Sequence, residues 1–208
     1  MLALLVGTAA AFAETERLKL KPTPILESFV EPAFSPACKC AQSRAEIRLR
    51  LHRADTATVR VLDANGEVVA TVAENRRLPG GRTILYWNGA GEPDGAYRLE
   101  VYLAGADRTF TLPGVTELDT LAPTARVISH RDAVQAGQKV PVVYRLSEQA
   151  HGVLYVNGKR VIRTYTKLRS AQLNWHPKEP GRYRLQLAAV DLAGNLGPRT
   201  EEFVVTVA

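Results

Sequence analysis

The residues that could do covalent chemistry are few and poorly spaced for it. Ser28, Ser35, Ser43, Ser129, Ser147 and Ser170 all lack the flanking glycines of the Gly-x-Ser-x-Gly turn that lifts a nucleophile out of a sheet. His52, His130, His151 and His176 are scattered, with no His-x-x-x-His pair and no neighbouring cysteine to complete a metal site. Gly80-Gly81 follows Pro79 and reads as a turn, since the Lys-Ser/Thr ending of a phosphate-binding loop is absent. Asp191 and Asn195 offer oxygen ligands, but one acid is too few for a calcium shell, so the pair is expected to close a loop. These positions imply a chain that is not an enzyme and needs no cofactor.

Two further groups carry chemistry of other kinds. Cys38 and Cys40 flank Lys39 and have no partners at zinc-ligand spacing. Alternate residues of an extended chain lie near the upper limit of disulfide geometry. In an oxidising compartment the pair is nevertheless expected to be oxidised, either to each other or to a second chain. The other group is basic: Lys159, Arg160, Arg163, Lys167 and Arg169 fall in and just after one short stretch. Residues 121–208 hold 13 Lys and Arg against 6 Asp and Glu, whereas residues 27–120 hold 11 against 13. The basic run is either a solvated face or a patch for a polyanion, such as an anionic wall polymer or lipid headgroups. A single tyrosine, Tyr165, within the run is a thin platform for stacking bases, and export would remove nucleic acid as a partner.

The elements that position these residues read as strands. Ile47, Leu49 and Leu51 alternate with Glu46, Arg48, Arg50 and His52, giving one face to a core and one to water. Val59 and Val61 precede Asp63-Ala64-Asn65-Gly66, and Val68 and Val69 follow it. Asn-Gly between apolar runs is a strong hairpin signal because both residues tolerate positive φ. The second half repeats the layout, with Asn157-Gly158 set between Val153–Val156 and Val161-Ile162. Matching features recur at intervals of about 90 residues, roughly one sandwich domain. Trp87 leads to Asp94-Gly95-Ala96-Tyr97, and Trp175 leads to Pro180-Gly181-Arg182-Tyr183. These four aromatics are expected to mark the cores, with each tyrosine bonded back to the loop before it. The polar stretch Asp119–Pro123 is expected to be the connector.

Residues 1–13 are apolar or small and end in Ala11-Phe12-Ala13, an A-x-A sequence of the kind signal peptidase cuts. No Lys or Arg precedes the run, which leaves a cleaved signal and a membrane anchor both open. Residues 14–44 contain Pro22, Pro24, Pro32 and Pro36 and read as an extended leader into the first domain.

The run Val59-Arg60-Val61-Leu62-Asp63-Ala64-Asn65-Gly66-Glu67-Val68-Val69, followed by Leu78-Pro79-Gly80-Gly81, Trp87-Asn88-Gly89 and Asp94–Leu99, resembles the Ig-like domain of the flagellar hook-capping family (FlgD type). The second half, with Ala189-Val190-Asp191-Leu192-Ala193-Gly194-Asn195, looks like a generic bacterial Ig-like repeat. The resemblance implies an all-β protein: a signal or anchor plus linker over residues 1–26, then tandem immunoglobulin-like sandwiches over 27–120 and 121–208. The function expected is that of an exported, non-enzymatic structural or binding module of the cell envelope. An assembly scaffold of hook-cap type and accessory domains of a larger enzyme are the alternatives. The partner would be an unidentified protein or an anionic envelope polymer, with membrane contact through the N-terminal segment and no nucleic acid.

Overall fold

A computed structural model describes residues 23–165 and 167–208. The apolar run and its A-x-A sequence lie outside the described residues. Among the described residues every regular element is a β-strand.

The first sandwich contains β1 (Ile25–Val30), β2 (Ala33–Phe34), β3 (Ala45–Leu51), β4 (Asp55–Leu62), β5 (Val68–Leu78), β6 (Gly81–Trp87), β7 (Gly95–Leu103), β8 (Arg108–Thr111) and β9 (Thr116–Leu118). One sheet has the order β1-β3-β6, and the other β2-β9-β7-β4-β5. β8 and β9 pair with successive parts of β7, so they form one strand position interrupted around Pro113-Gly114. β2 joins the second sheet by pairing parallel to β9. The first strand therefore serves both sheets in turn, changing over at Pro32, where a missing backbone donor is tolerated.

The second sandwich repeats this topology with β10 (Ala125–Ser129), β11 (Ala133–Val134), β12 (Val140–Val156), β13 (Lys159–Arg163), β14 (Leu168–Trp175), β15 (Gly181–Val190) and β16 (Phe203–Val207). β12 belongs to both sheets. Its residues 140–146 pair with β10 and β14, and its residues 151–156 pair with β13 and β15. β11 pairs parallel to β16, as β2 does to β9. In the first sandwich the same change of sheet is a break at His52-Arg53-Ala54 between β3 and β4. Two sheets in this order, with the first strand shared between them, are the immunoglobulin-like arrangement.

Each sandwich encloses its own core, filled by alternate residues of facing strands. Ile47, Leu49, Leu51, Val59, Val61, Leu99, Val101 and Leu103 are almost wholly buried in the first. Val140, Val142, Tyr144, Leu154, Leu185, Leu187 and Val205 fill the second. Trp87 is buried between Phe34 and Tyr97, with ring centroids 5.2 and 4.8 Å away. Trp175 is only partly buried and meets Tyr183 edge-on at 5.0 Å. Both tyrosine hydroxyls donate to a carbonyl four residues upstream: Tyr97 to Pro93 at 2.6 Å and Tyr183 to Glu179 at 2.9 Å.

Two expectations change. The Pro-rich leader is not all linker: residues 25–34 form β1 and β2, and Phe34 is fully buried. Pro24, Pro32 and Pro36 misled because they lie before β1, at the changeover and after β2 instead of at paired positions. The two Asn-Gly turns also differ. Asn157 (φ 50°) and Gly158 (φ 79°) are both left-handed, as a two-residue hairpin requires. At the other turn only Gly66 (φ 88°) is. There the Asp63 carboxylate accepts the amides of Asn65 and Glu67 at 2.9 Å each, which holds a longer loop and keeps Asn65 out of the left-handed region.

Candidate functional site

The chemistry-bearing residues gather where the two sandwiches meet. Cys38 and Cys40 are disulfide-bonded to each other, in the loop between β2 and β3. This loop packs on the turn after β15. Gly194 (φ 91°) lies so close that a Cβ there would collide with Cys40 Sγ. The same turn is cross-linked internally: Asn195 donates its backbone N–H to Asp191 Oδ1 and its side-chain amide to Asp191 Oδ2, both at 2.8 Å. The connector is held from both sides. Thr120 donates its N–H and hydroxyl to the Asp94 carboxylate at about 3 Å, and Asn195 Nδ2 reaches the Asp119 carbonyl at 2.8 Å.

Beside this junction lies a groove of about 750 Å³, within the ~300–1,000 Å³ typical of ligand sites. Lys39 and the disulfide line one side; Val153, Tyr155, Arg160, Arg163 and Lys167 line the other. The strand register explains the arginines. Leu154 pairs with Ile162, but Tyr155 pairs with Arg160, so Val161 is an extra, bulged residue. In an unbroken strand, residues 160 and 163 would face opposite ways. The bulge turns both to the outer face beside Val153 and Tyr155, and sends Ile162 to the core. Arg199 covers the Tyr155 ring at 3.8 Å. On β15, alternation puts Arg182 and Arg184 on the same outer face as Gln186 and Ala188.

His151 also lines the groove. Its Nδ1 lies 2.7 Å from the Thr164 carbonyl, which can only accept, so Nδ1 carries the proton and Nε2 is an acceptor. Burial lowers its pKa, the Arg163 and Lys167 charges push the same way, and the bond to Thr164 opposes them. The imidazole is therefore neutral at pH 7.

Of the five basic residues singled out in the sequence, the structure brings Arg160, Arg163 and Lys167 together. Lys159 pairs with Val156 and takes the opposite face from Arg160. Arg169 lines an adjoining acidic hollow with Asp119, Glu148 and Asp191, the last of which also lines the groove. Carboxylate oxygens of these three acids lie within 4.8 Å of one another. Burial raises the pKa of Glu148, and repulsion from Asp119 and Asp191 adds to it; Asp119 is raised as well, again chiefly by burial. The donor types suit a hard divalent cation, although Asp191 is already bonded to Asn195 and Asp119 Oδ1 to the Leu121 amide. Sequence reading found Asp191 alone, because Asp119 and Glu148 join it only through the junction. It also passed over Lys39, which no local pattern marks as part of the groove, and Arg199, which covers the Tyr155 ring.

No protein-family model matches the chain, and no curated protein matches its sequence. Solved structures of similar shape include the fibronectin(III)-like modules of Clostridium thermocellum CbhA, at 13% identity over 88% of this chain and 92% of that one, with a TM-score of 0.49. The FN1–FN3 domains of chicken CNTN1 align at 17% identity over 86% of this chain and 66% of that one, with a TM-score of 0.46. Bacteroides ovatus SGBP-B, solved with a mixed-linkage heptasaccharide, aligns at 17% identity and a TM-score of 0.33; 91% of this chain corresponds to 46% of that one. The strand order is what identifies the chain as two tandem immunoglobulin-like sandwiches.

Proposed function

We propose that the chain is an exported, non-enzymatic binding module of the cell envelope, built from two sandwiches and working through the basic outer face of the second. The first sandwich begins at β1, two residues ahead of the expected bound at 27, and runs to 120; the second covers 121–208. The observation that carries this reading is the bulge at Val161, which aligns the exposed Arg160 and Arg163 beside Lys167 at the rim of the buried outer cluster of Val153, Tyr155 and Ala188. Guanidinium groups bind carboxylate and phosphate bidentately, so an aligned pair suits an anionic polymer better than scattered lysines would. Export is supported by the A-x-A sequence at residues 11–13 and by the Cys38–Cys40 disulfide, a bond that persists in oxidising compartments. The residues ahead of β1 would act as signal or anchor plus linker, an anchor holding the sandwiches at a membrane.

The test uses the exported chain. It should bind anionic cell-wall polymer in a pull-down and release it as salt rises, because exposed charges are screened within about 10 Å at 0.1 M ionic strength. Binding that ignores both salt and the charge of the polymer would refute the reading. A second reading rests on the hook-capping resemblance at residues 59–69 and 87–99, which favours an assembly scaffold. Loss of flagella on deletion of the gene would select it.

A further inference from the structure

We propose that the groove between the sandwiches is a composite site for a polysaccharide strand bearing carboxylate or phosphate groups, with Lys39 of the first sandwich closing over Arg160, Arg163 and Lys167 of the second. This rests on the anion-binding reading above and adds two things to it, a sugar ligand and a direct role for the first sandwich.

Three observations carry it. The site is a concave groove rather than a flat face, which fits a chain and not a bilayer surface. Its lining comes from both sandwiches, Lys39 from the first and Arg160, Arg163 and Lys167 from the second. Its one carboxylate, Asp191, is buried, bonded to Asn195 and turned toward Asp119 and Glu148 of the adjoining hollow. Beside the cations stands the neutral His151, whose Nε2 is a hydrogen-bond acceptor. An acceptor repels anionic oxygen and welcomes hydroxyl. Cations for the acidic group together with an acceptor for a hydroxyl describe an acidic sugar better than a bare polyanion. Lys39 is held in place because the disulfide on either side of it fixes the loop against Gly194.

The experiment measures binding of the full exported chain to polygalacturonate by calorimetry. Polyglutamate serves as a carboxylate polymer without hydroxyls, dextran as a neutral sugar, and equimolar phosphatidylglycerol–phosphatidylcholine vesicles as a lipid surface. Polygalacturonate should bind most tightly. Lys39→Glu and the pair Arg160→Glu/Arg163→Glu should each weaken it about tenfold or more. Lys159→Glu, an equal charge change on the opposite face, should leave it near wild type. All four positions are exposed, so circular dichroism and melting should be unchanged. If Lys39→Glu binds as wild type while the arginine pair fails, the composite site is wrong and the basic-face reading survives. Equal binding of polyglutamate or vesicles overturns the sugar assignment. If no variant affects binding, both readings fall.

Discussion

The side-chain amide of Asn195, in the second sandwich, donates to the backbone carbonyl of Asp119, in the connector from the first, at 2.8 Å. Asp119 in turn donates its N–H to the Phe34 carbonyl in β2 at 3.1 Å, so the bond ties the second sandwich to the β2-β9-β7-β4-β5 sheet of the first. Asn195 is also the partner of both Asp191 oxygens, and both residues are about 95% buried. Asn195→Ala should therefore cost about 1–3 kcal/mol, the usual penalty for leaving buried polar groups unpaired. Calorimetric unfolding would show it as a lower melting temperature.

Gly194 faces two constraints, a left-handed backbone and the Cys40 sulfur. Gly194→Ala should destabilise by about 1–2 kcal/mol from the backbone alone, with the steric cost added. It should also speed protease cleavage at the exposed Leu121 of the connector. In a Cys38→Ala/Cys40→Ala background most of the steric part should go, leaving the flexible Gln42 side chain as the remaining neighbour, and the backbone part should remain. Equal costs in both backgrounds would show that the disulfide does not press on this turn.

The acidic hollow makes stability depend on pH in a defined direction. The native pKa values of Asp119 and Glu148 lie above the ordinary carboxylate values, so the folded state retains protons that the unfolded chain has released. Their contribution is present below about pH 4 and is lost as pH rises through the raised native values. Glu148→Gln should accordingly raise the melting temperature at pH 7 and give no gain at low pH. His151 works in the opposite sense. Its native pKa is lowered, so its contribution is present above the ordinary histidine value and fades as pH falls through the native one. Melting curves of wild type, Glu148→Gln and His151→Gln across pH 4–8 would separate the two groups.

The two tryptophans should not be equivalent. Trp87 is buried against two rings, and replacing it by alanine should cost about 3–5 kcal/mol. Trp175 is partly exposed with one ring partner, so its replacement should cost less. If Trp175→Ala proved the more damaging, burial would not be what sets the cost here.

The strands, the repeat and most core positions were legible in the sequence because alternation is a local property. Ile47, Leu49 and Leu51, or Tyr183, Leu185 and Leu187, declare their face by spacing alone, whatever they later pack against. The Asn-Gly hairpins were equally local, and even there the Asp63 side chain decided the turn type. The site was not legible in the same way. Five clustered basic residues looked like one patch, yet one bulged residue, Val161, decided that Arg160 and Arg163 share a face and Lys159 does not. Nor does spacing bring Lys39 to the arginines, or Asp119 and Glu148 to Asp191. Those meetings depend on strand register and on the junction between sandwiches, which are set by contacts between residues far apart in the chain.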